Sequence, residues 1–114
     1  MNEDLETLFD DANGDLAVGD LDAAVEKYRK CVGLDPQFFD AWHALAMVLM
    51  KQGKTREAIG AGLQATSLKP NDLLAWTALS QMYVQDGQIA EAEDAKANAR
   101  ILSLGGKILK EENS

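Results

Sequence analysis

The 114 residues hold one cysteine, one histidine, two prolines and few aromatics, which make up 6% of the chain. One cysteine, Cys31, rules out an internal disulfide and a cysteine-based zinc site. One histidine, His43, has no sequence-local nucleophile beside it, so it reads as a groove residue rather than as a member of a Ser/His/Asp or Cys/His set. Cations are also scarce, with 11 Lys and Arg against 19 Asp and Glu, a net charge of −8. Phosphate backbones and anionic lipid surfaces need a basic face, so neither nucleic acid nor a membrane surface is an expected partner. No apolar run is long enough to span a bilayer. The opening Met1-Asn2-Glu3-Asp4 is acidic and lacks the basic and apolar regions of a signal peptide, so a cytoplasmic location is the expectation. No stretch alternates with period two, so no strand is expected.

Hydrophobic residues make up 46% and charged residues 26%, the balance of a globular chain with a core. The distinctive property is repetition. Pro36 and Pro70 are 34 residues apart, as are Trp42 and Trp76, Leu45 and Leu79, Gly53 and Gly87, and Ala58 and Ala92. Carried backward, Gly19 precedes Gly53, Ala24 precedes Ala58 and Leu8 precedes Trp42 by the same interval. The frames are 5–38, 39–72 and 73–106, with a tail at 107–114, all within a single domain. Each frame reads as helix, glycine-centred turn, helix, and the first two then close on a proline. Glycine supplies the left-handed conformation that ends a helix, and proline stops the next one.

These residues resemble the tetratricopeptide repeat family, whose 34-residue unit sets a large residue, Leu, a small residue, an aromatic, Gly, Ala, an aromatic, Ala and Pro in fixed order. The second frame fits through Trp42, Leu45, Ala46, Gly53, Ala58, Ala65 and Pro70; the third through Trp76, Leu79, Ser80, Tyr83, Gly87, Ala92 and Ala99. The first fits through Leu8, Ala12, Gly19, Ala24, Tyr28 and Pro36. The resemblance implies an all-α, right-handed helical solenoid of six helices, with the tail as a short extension or partial capping helix. Small residues in this pattern let antiparallel helices approach closely, and large ones fill the remaining space. Cys31 stands at a small-residue position and reads as a buried apolar residue.

Four departures qualify the pattern. Asp11 and Asp15 stand where core residues are expected, which suits a terminal helix with one flank in water. Gly62 replaces an aromatic, with Gly60 beside it, and two glycines inside a helix cost about 2 kcal/mol in propensity. They either permit close packing or leave a soft spot. Leu104 replaces the third proline, and Gly105-Gly106 is expected to end the last helix. The tail offers only Lys107-Ile108-Leu109-Lys110-Glu111-Glu112 as a cap, so an incompletely covered end and weak self-association are expected.

Two other motifs compete with the frame. Gly60-Ala61-Gly62-Leu63-Gln64-Ala65 matches a dinucleotide-binding pattern, but it lies inside a helix and follows no strand, so it lacks the turn that presents free amides. Asp11, Asn13, Asp15 and Asp22 echo the spacing of a calcium loop. Leu16 holds the place of the required glycine, and Asp22 that of the usual bidentate glutamate, so calcium is the lesser reading. No cofactor or enzymatic activity is expected.

The resemblance implies that the first helix of each frame turns one face into a concave groove. Its residues here are Phe9 and Asn13; Asp40, His43, Met47 and Met50; and Leu74, Thr77, Gln81 and Val84. The strip is apolar in its middle and acidic toward one end, which suits an apolar or basic-apolar segment of another protein. Chaperone-binding relatives hold a terminal carboxylate with a clamp of cations and amides. The matching residues are Phe9, Asn13, Ala44, Leu74 and Ala78, of which only Asn13 fits, so that ligand is not expected. The functional expectation is a protein-interaction adaptor, with self-assembly through the poorly capped end as the alternative.

Overall fold

In the computed structural model, residues 4–108 are described. They form six α-helices: α1 (Leu5–Ala17), α2 (Leu21–Leu34), α3 (Phe39–Lys51), α4 (Thr55–Leu68), α5 (Leu73–Gln85) and α6 (Ile89–Ser103). No strand occurs among the described residues. Odd-numbered helices begin at Leu5, Phe39 and Leu73, and even-numbered ones at Leu21, Thr55 and Ile89, so the 34-residue period of the sequence is also the period of the helices.

The helix boundaries follow from local chemistry. Asp4, Asp20 and Asp72 cap α1, α2 and α5, each accepting an amide proton through its carboxylate, from Glu6, Ala23 and Ala75 at 3.1, 3.2 and 2.9 Å. The first helix of each pair ends on Gly19, Gly53 or Gly87, with φ of +86°, +79° and +78°. The amide after each glycine reaches back to a carbonyl of the last turn: Asp20 to Asp15 at 2.8 Å, Lys54 to Leu49 at 2.9 Å, Gln88 to Tyr83 at 2.9 Å. These bonds satisfy carbonyls that the helix leaves open. Gly105, at φ +90°, ends α6 in the same way, with Gly106 N–H donating to Ile101 O at 2.9 Å.

Neighbouring helices in the chain pack against each other, and α3 also touches α5. Within each pair the close approach is made by small residues: Ala12 and Ala24 in the first, Ala46 and Ala58 in the second, all fully buried. In the third pair Ser80 takes part and sends its hydroxyl to Ala92 O at 3.1 Å. Cys31 is buried as its frame position implies. Each tryptophan ties its helix to the preceding turn, Trp42 Nε1–H to Pro36 O at 2.7 Å and Trp76 Nε1–H to Pro70 O at 2.8 Å. The proline turns are therefore held by hydrogen bonds as well as by their fixed φ.

The two glycines of α4 have separate roles. Gly62 is buried, and a Cβ there would stand 3.2 Å from Leu79 Cδ1 and 3.3 Å from Met82 Sδ. Its missing side chain is what lets α5 lie against α4. Gly60 is exposed, and a Cβ would meet nothing within 4 Å. The first supplies close packing, and the second leaves open space on the outer side of α4.

The suggested capping helix falls mostly on 109–114, outside the described residues. Lys107 and Ile108 are described and are not helical. Ile108 N–H donates to Asn71 Oδ1 at 2.8 Å, so the chain after α6 returns toward the start of α5.

Candidate functional site

The direct contact between α3 and α5 sets first helices side by side along one side of the solenoid. On α3, Asp40, His43, Met47 and Met50 recur every three or four residues and share one face. Asp40 is exposed and the other three are half-buried. Leu74, Thr77, Gln81 and Val84 repeat that register on α5, with Leu74 and Val84 exposed to 69% and 57%. Nothing in the described fold uses the outer surface of these two side chains.

Phe9 and Asn13 sit on the matching face of α1 but are engaged within the fold. The Phe9 ring lies 4.9 Å from Phe38 and 5.8 Å from Tyr28, in tilted contacts. Tyr28 donates its hydroxyl to Asn13 Oδ1 at 2.5 Å. Burial holds the Tyr28 phenol above its ordinary range, with Cys31 and Asp15 adding to the effect. The first repeat thus offers a braced aromatic edge, and the third offers open side chains.

His43 stacks on Phe39 at 5.8 Å and nearly parallel, and the Lys69 ammonium lies 4.6 Å from the Phe39 ring centre. This Lys–Phe–His stack stands beside the strip. The sequence analysis did not single out Phe39, although a signal existed: its frame position is apolar in all three repeats, as Leu5, Phe39 and Leu73.

Two clefts adjoin these helices. A cleft of about 490 Å³ opens between α2 and α4, with Trp42, Leu45 and Leu49 of α3 behind it. It is left open by Gly33 and Gly60, and Arg29 pairs with Glu57 at its wall. A second, of about 380 Å³, lies between α5 and α6 and brings together Thr77, Gln81 and Val84 with Ser80, Glu93 and Lys96. Three of the expected strip residues therefore also look out of the open flank of the last repeat.

The calcium reading meets a geometric obstacle. Asp11, Asn13 and Asp15 lie inside the continuous helix α1, where a coordinating loop would have to fold around the ion. Asp15 pairs with Lys27 at 2.8 Å, and Asp22 of α2 accepts from Gln52 at 2.6 Å. No group of three or more His, Cys, Asp or Glu side chains among the described residues could hold a metal ion. Gly60–Ala65 likewise lies within α4, where its amides are committed to the helix. None of the described helices is long and apolar enough to cross a membrane.

Comparison with known proteins agrees with this geometry. A TPR repeat pattern matches residues 15–53 and a tetratricopeptide repeat pattern matches residues 39–82. No curated protein matches the chain. Among solved structures, MamA AMB-1 superposes with a TM-score of 0.87 at 24% identity, over 93% of this chain and 58% of that one. The MamA RS-1 double mutant gives 0.84 at 26% identity, over 89% and 57%. A chain of the CopN-Scc3 complex gives 0.87 at 20% identity, over 92% and 62%. The protein thus spans about six-tenths of the length of the structures it matches. With its period, turn glycines, small-residue contacts and matched patterns, the chain belongs to the tetratricopeptide repeat family.

Proposed function

We propose that the protein is an interaction module that receives an apolar or basic-apolar segment of another protein along the exposed faces of its first helices. The observation that carries this reading is the strip on α3 and α5. Leu74 and Val84 are large, apolar and exposed, and Met47 and Met50 lie half-buried on the same face one repeat earlier, in the register of Gln81 and Val84. Their alignment on one face gives a partner segment apolar contact area. Methionine adds a surface that adapts to varied side chains. Asp10 and Asp40 are exposed beside the strip, which favours basic flanking residues in the partner. The fold shared with a chain of the CopN-Scc3 complex is compatible with a role in protein binding.

The test is capture from the native lysate, with Leu74→Glu and Met47→Glu as matched controls and thermal melts to verify that both fold. A protein bound by the wild type and lost in both variants supports the reading once its binding is reproduced with purified components. Undiminished binding by both variants rules out this strip and directs attention to the cleft between α2 and α4.

A further inference from the structure

Within the solenoid, each repeat buries a defined set of side chains against the next. In α2 they are Val25, Tyr28, Cys31 and Val32, and in α4 they are Ile59, Gly62, Ala65 and Thr66, all buried. The same frame positions in α6 are Glu93, Lys96, Ala99 and Arg100, three of them charged and exposed. At the opposite end, α3 presents Ala41, Leu45, Val48 and Leu49 to the repeat before it, all buried. The matching positions of α1 are Thr7, Asp11, Gly14 and Asp15. Asp15 pairs with Lys27, while Asp11 is exposed, and Asp11, Asp15 and Asp20 together raise the Lys27 pKa, with the Asp15 hydrogen bond foremost. The first and last repeats therefore carry charge of opposite sign at the positions where repeats meet: two cations and one anion on the last, acids in excess on the first.

The solenoid fixes which of these positions would face each other. Gly62 approaches Leu79 and Met82 of the following repeat. One frame later the approaching residue is Lys96, and in a second copy the facing positions are held by Asp11 and Gly14. Lys96 thus meets a carboxylate beside a residue with no side chain, which leaves room for the lysine stem. The polar links between repeats change in a matching way. Asp22 bonds Gln52 and Arg56 bonds Asp86 across the first two junctions. At the next junction this pair becomes Ala90 against Val18 of the second copy, and Val18 is 80% exposed. Thr55 bonds Gln85; that pair becomes Ile89, 57% exposed, against Ala17 of the second copy.

We propose that the last repeat docks, head to tail, on the first repeat of a second copy of this chain, with Lys96 against Asp11 and Ile89 and Ala90 against Ala17 and Val18. Such a contact uses different surfaces on the two molecules and leaves one of each free, so it extends into open chains. It is weak. The cleft lined by Glu26, Gln52 and Lys54 becomes one in which Glu93 and Asp94 lie toward Asp20 of the second copy, and each molecule carries a net charge of −8. The junction borders Thr77, Gln81 and Val84, which share a cleft with Lys96, but it leaves out Leu74 and Met47, so the charge reversals and the groove variants test the two readings separately.

The experiment is sedimentation over a wide concentration range, on the full chain and on two charge reversals, Lys96→Glu and Asp11→Lys. The wild type is expected to rise above the 12.4 kDa of the monomer with concentration. Each reversal alone is expected to remain monomeric. An equimolar mixture of the two is expected to associate again, since Glu at 96 then meets Lys at 11 and the original pair forms at the alternate junctions. Both sites are exposed, so the variants keep the fold, which a thermal melt verifies. A wild type of constant monomer mass overturns the proposal. So does association that the reversals leave unchanged, or a mixture that stays monomeric. Association by a chain shortened to end at Ile108, but not by the full chain, overturns it as well, by assigning the flank to residues 109–114.

Discussion

Replacing Gly60 and Gly62 by alanine, one at a time, separates packing from propensity within a single helix. Both glycines lie in the interior of α4, and at such a position alanine is favoured over glycine by about 1 kcal/mol. At Gly60 the new methyl meets nothing within 4 Å, so that gain is realised in full. At Gly62 the methyl stands 3.2 Å from Leu79 Cδ1 and 3.3 Å from Met82 Sδ. Those side chains are 1% and 0% exposed, so they have little space into which to move. Overfilling a packed core costs about 1–3 kcal/mol, which cancels or exceeds the propensity gain. Gly60→Ala is therefore expected to stabilise by about 1 kcal/mol, a rise of roughly 4 °C in Tm for a domain of this size. Gly62→Ala is expected to be neutral at best and down by about 2 kcal/mol at worst. Urea unfolding at equilibrium measures both. Equal stabilisation by the two variants would refute the claim that Gly62 is kept for the approach of α5. No gain at Gly60 would refute the view that its open side imposes no packing constraint.

Three further outcomes follow from single contacts. Trp42→Phe and Trp76→Phe each remove an N–H that ties a proline turn, and each is expected to cost about 1 kcal/mol in urea unfolding, since a typical hydrogen bond contributes that much. Asp72→Ala removes the cap of α5 and is expected to cost about 1 kcal/mol, with Asp72→Asn largely retaining the stability. Both tyrosines, Tyr28 and Tyr83, have phenol pKa values raised above 10.0, chiefly by burial. The folded state therefore holds their protons longer than the unfolded chain does, and stability is lost as the pH rises above 10.0 through the folded values. Tyrosinate absorbance of the folded protein should rise at higher pH than that of the urea-unfolded chain; coincident curves would contradict this.

Much of the fold was legible because its markers are steric and recur. A glycine with positive φ, a proline turn and a small residue at a helix crossing each tolerate few alternatives, so Gly53 and Gly87, Pro36 and Pro70, and Ala24 and Ala58 set the frame by themselves. The frame starts at 5, 39 and 73 coincide with the starts of α1, α3 and α5. The strip residues could be placed on one face of each helix by period alone. How open each one is could not be read the same way. Phe9, His43 and Thr77 hold equivalent positions, yet Phe9 packs against Phe38 and Tyr28 while His43 stacks on Phe39. That difference depends on which aromatic neighbours each repeat has. The roles of Gly60 and Gly62 were undecided for a similar reason, since only the position of α5 distinguishes them.

The charged ends show a second way in which a repeating frame encodes information. A buried frame position is a constraint only while another repeat covers it. Where coverage stops, the selection for an apolar side chain stops too, and Leu45 or Leu79 can become Asp11, and Val25 or Ile59 can become Glu93. Charge of any sign would keep such an end soluble. Solubility alone therefore gives no reason for a lysine to stand at the position whose counterpart on the other end is an aspartate, or for the polar links between repeats to be replaced there by Ile89, Ala90, Ala17 and Val18. A cap that only excludes neighbours would be expected to carry like charge at facing positions, since repulsion then prevents stacking. The opposite arrangement at Lys96 and Asp11 distinguishes an end that closes the solenoid from one that continues it in another molecule. Reversing both charges in one chain should preserve whatever association the wild type has, whereas reversing either alone should abolish it.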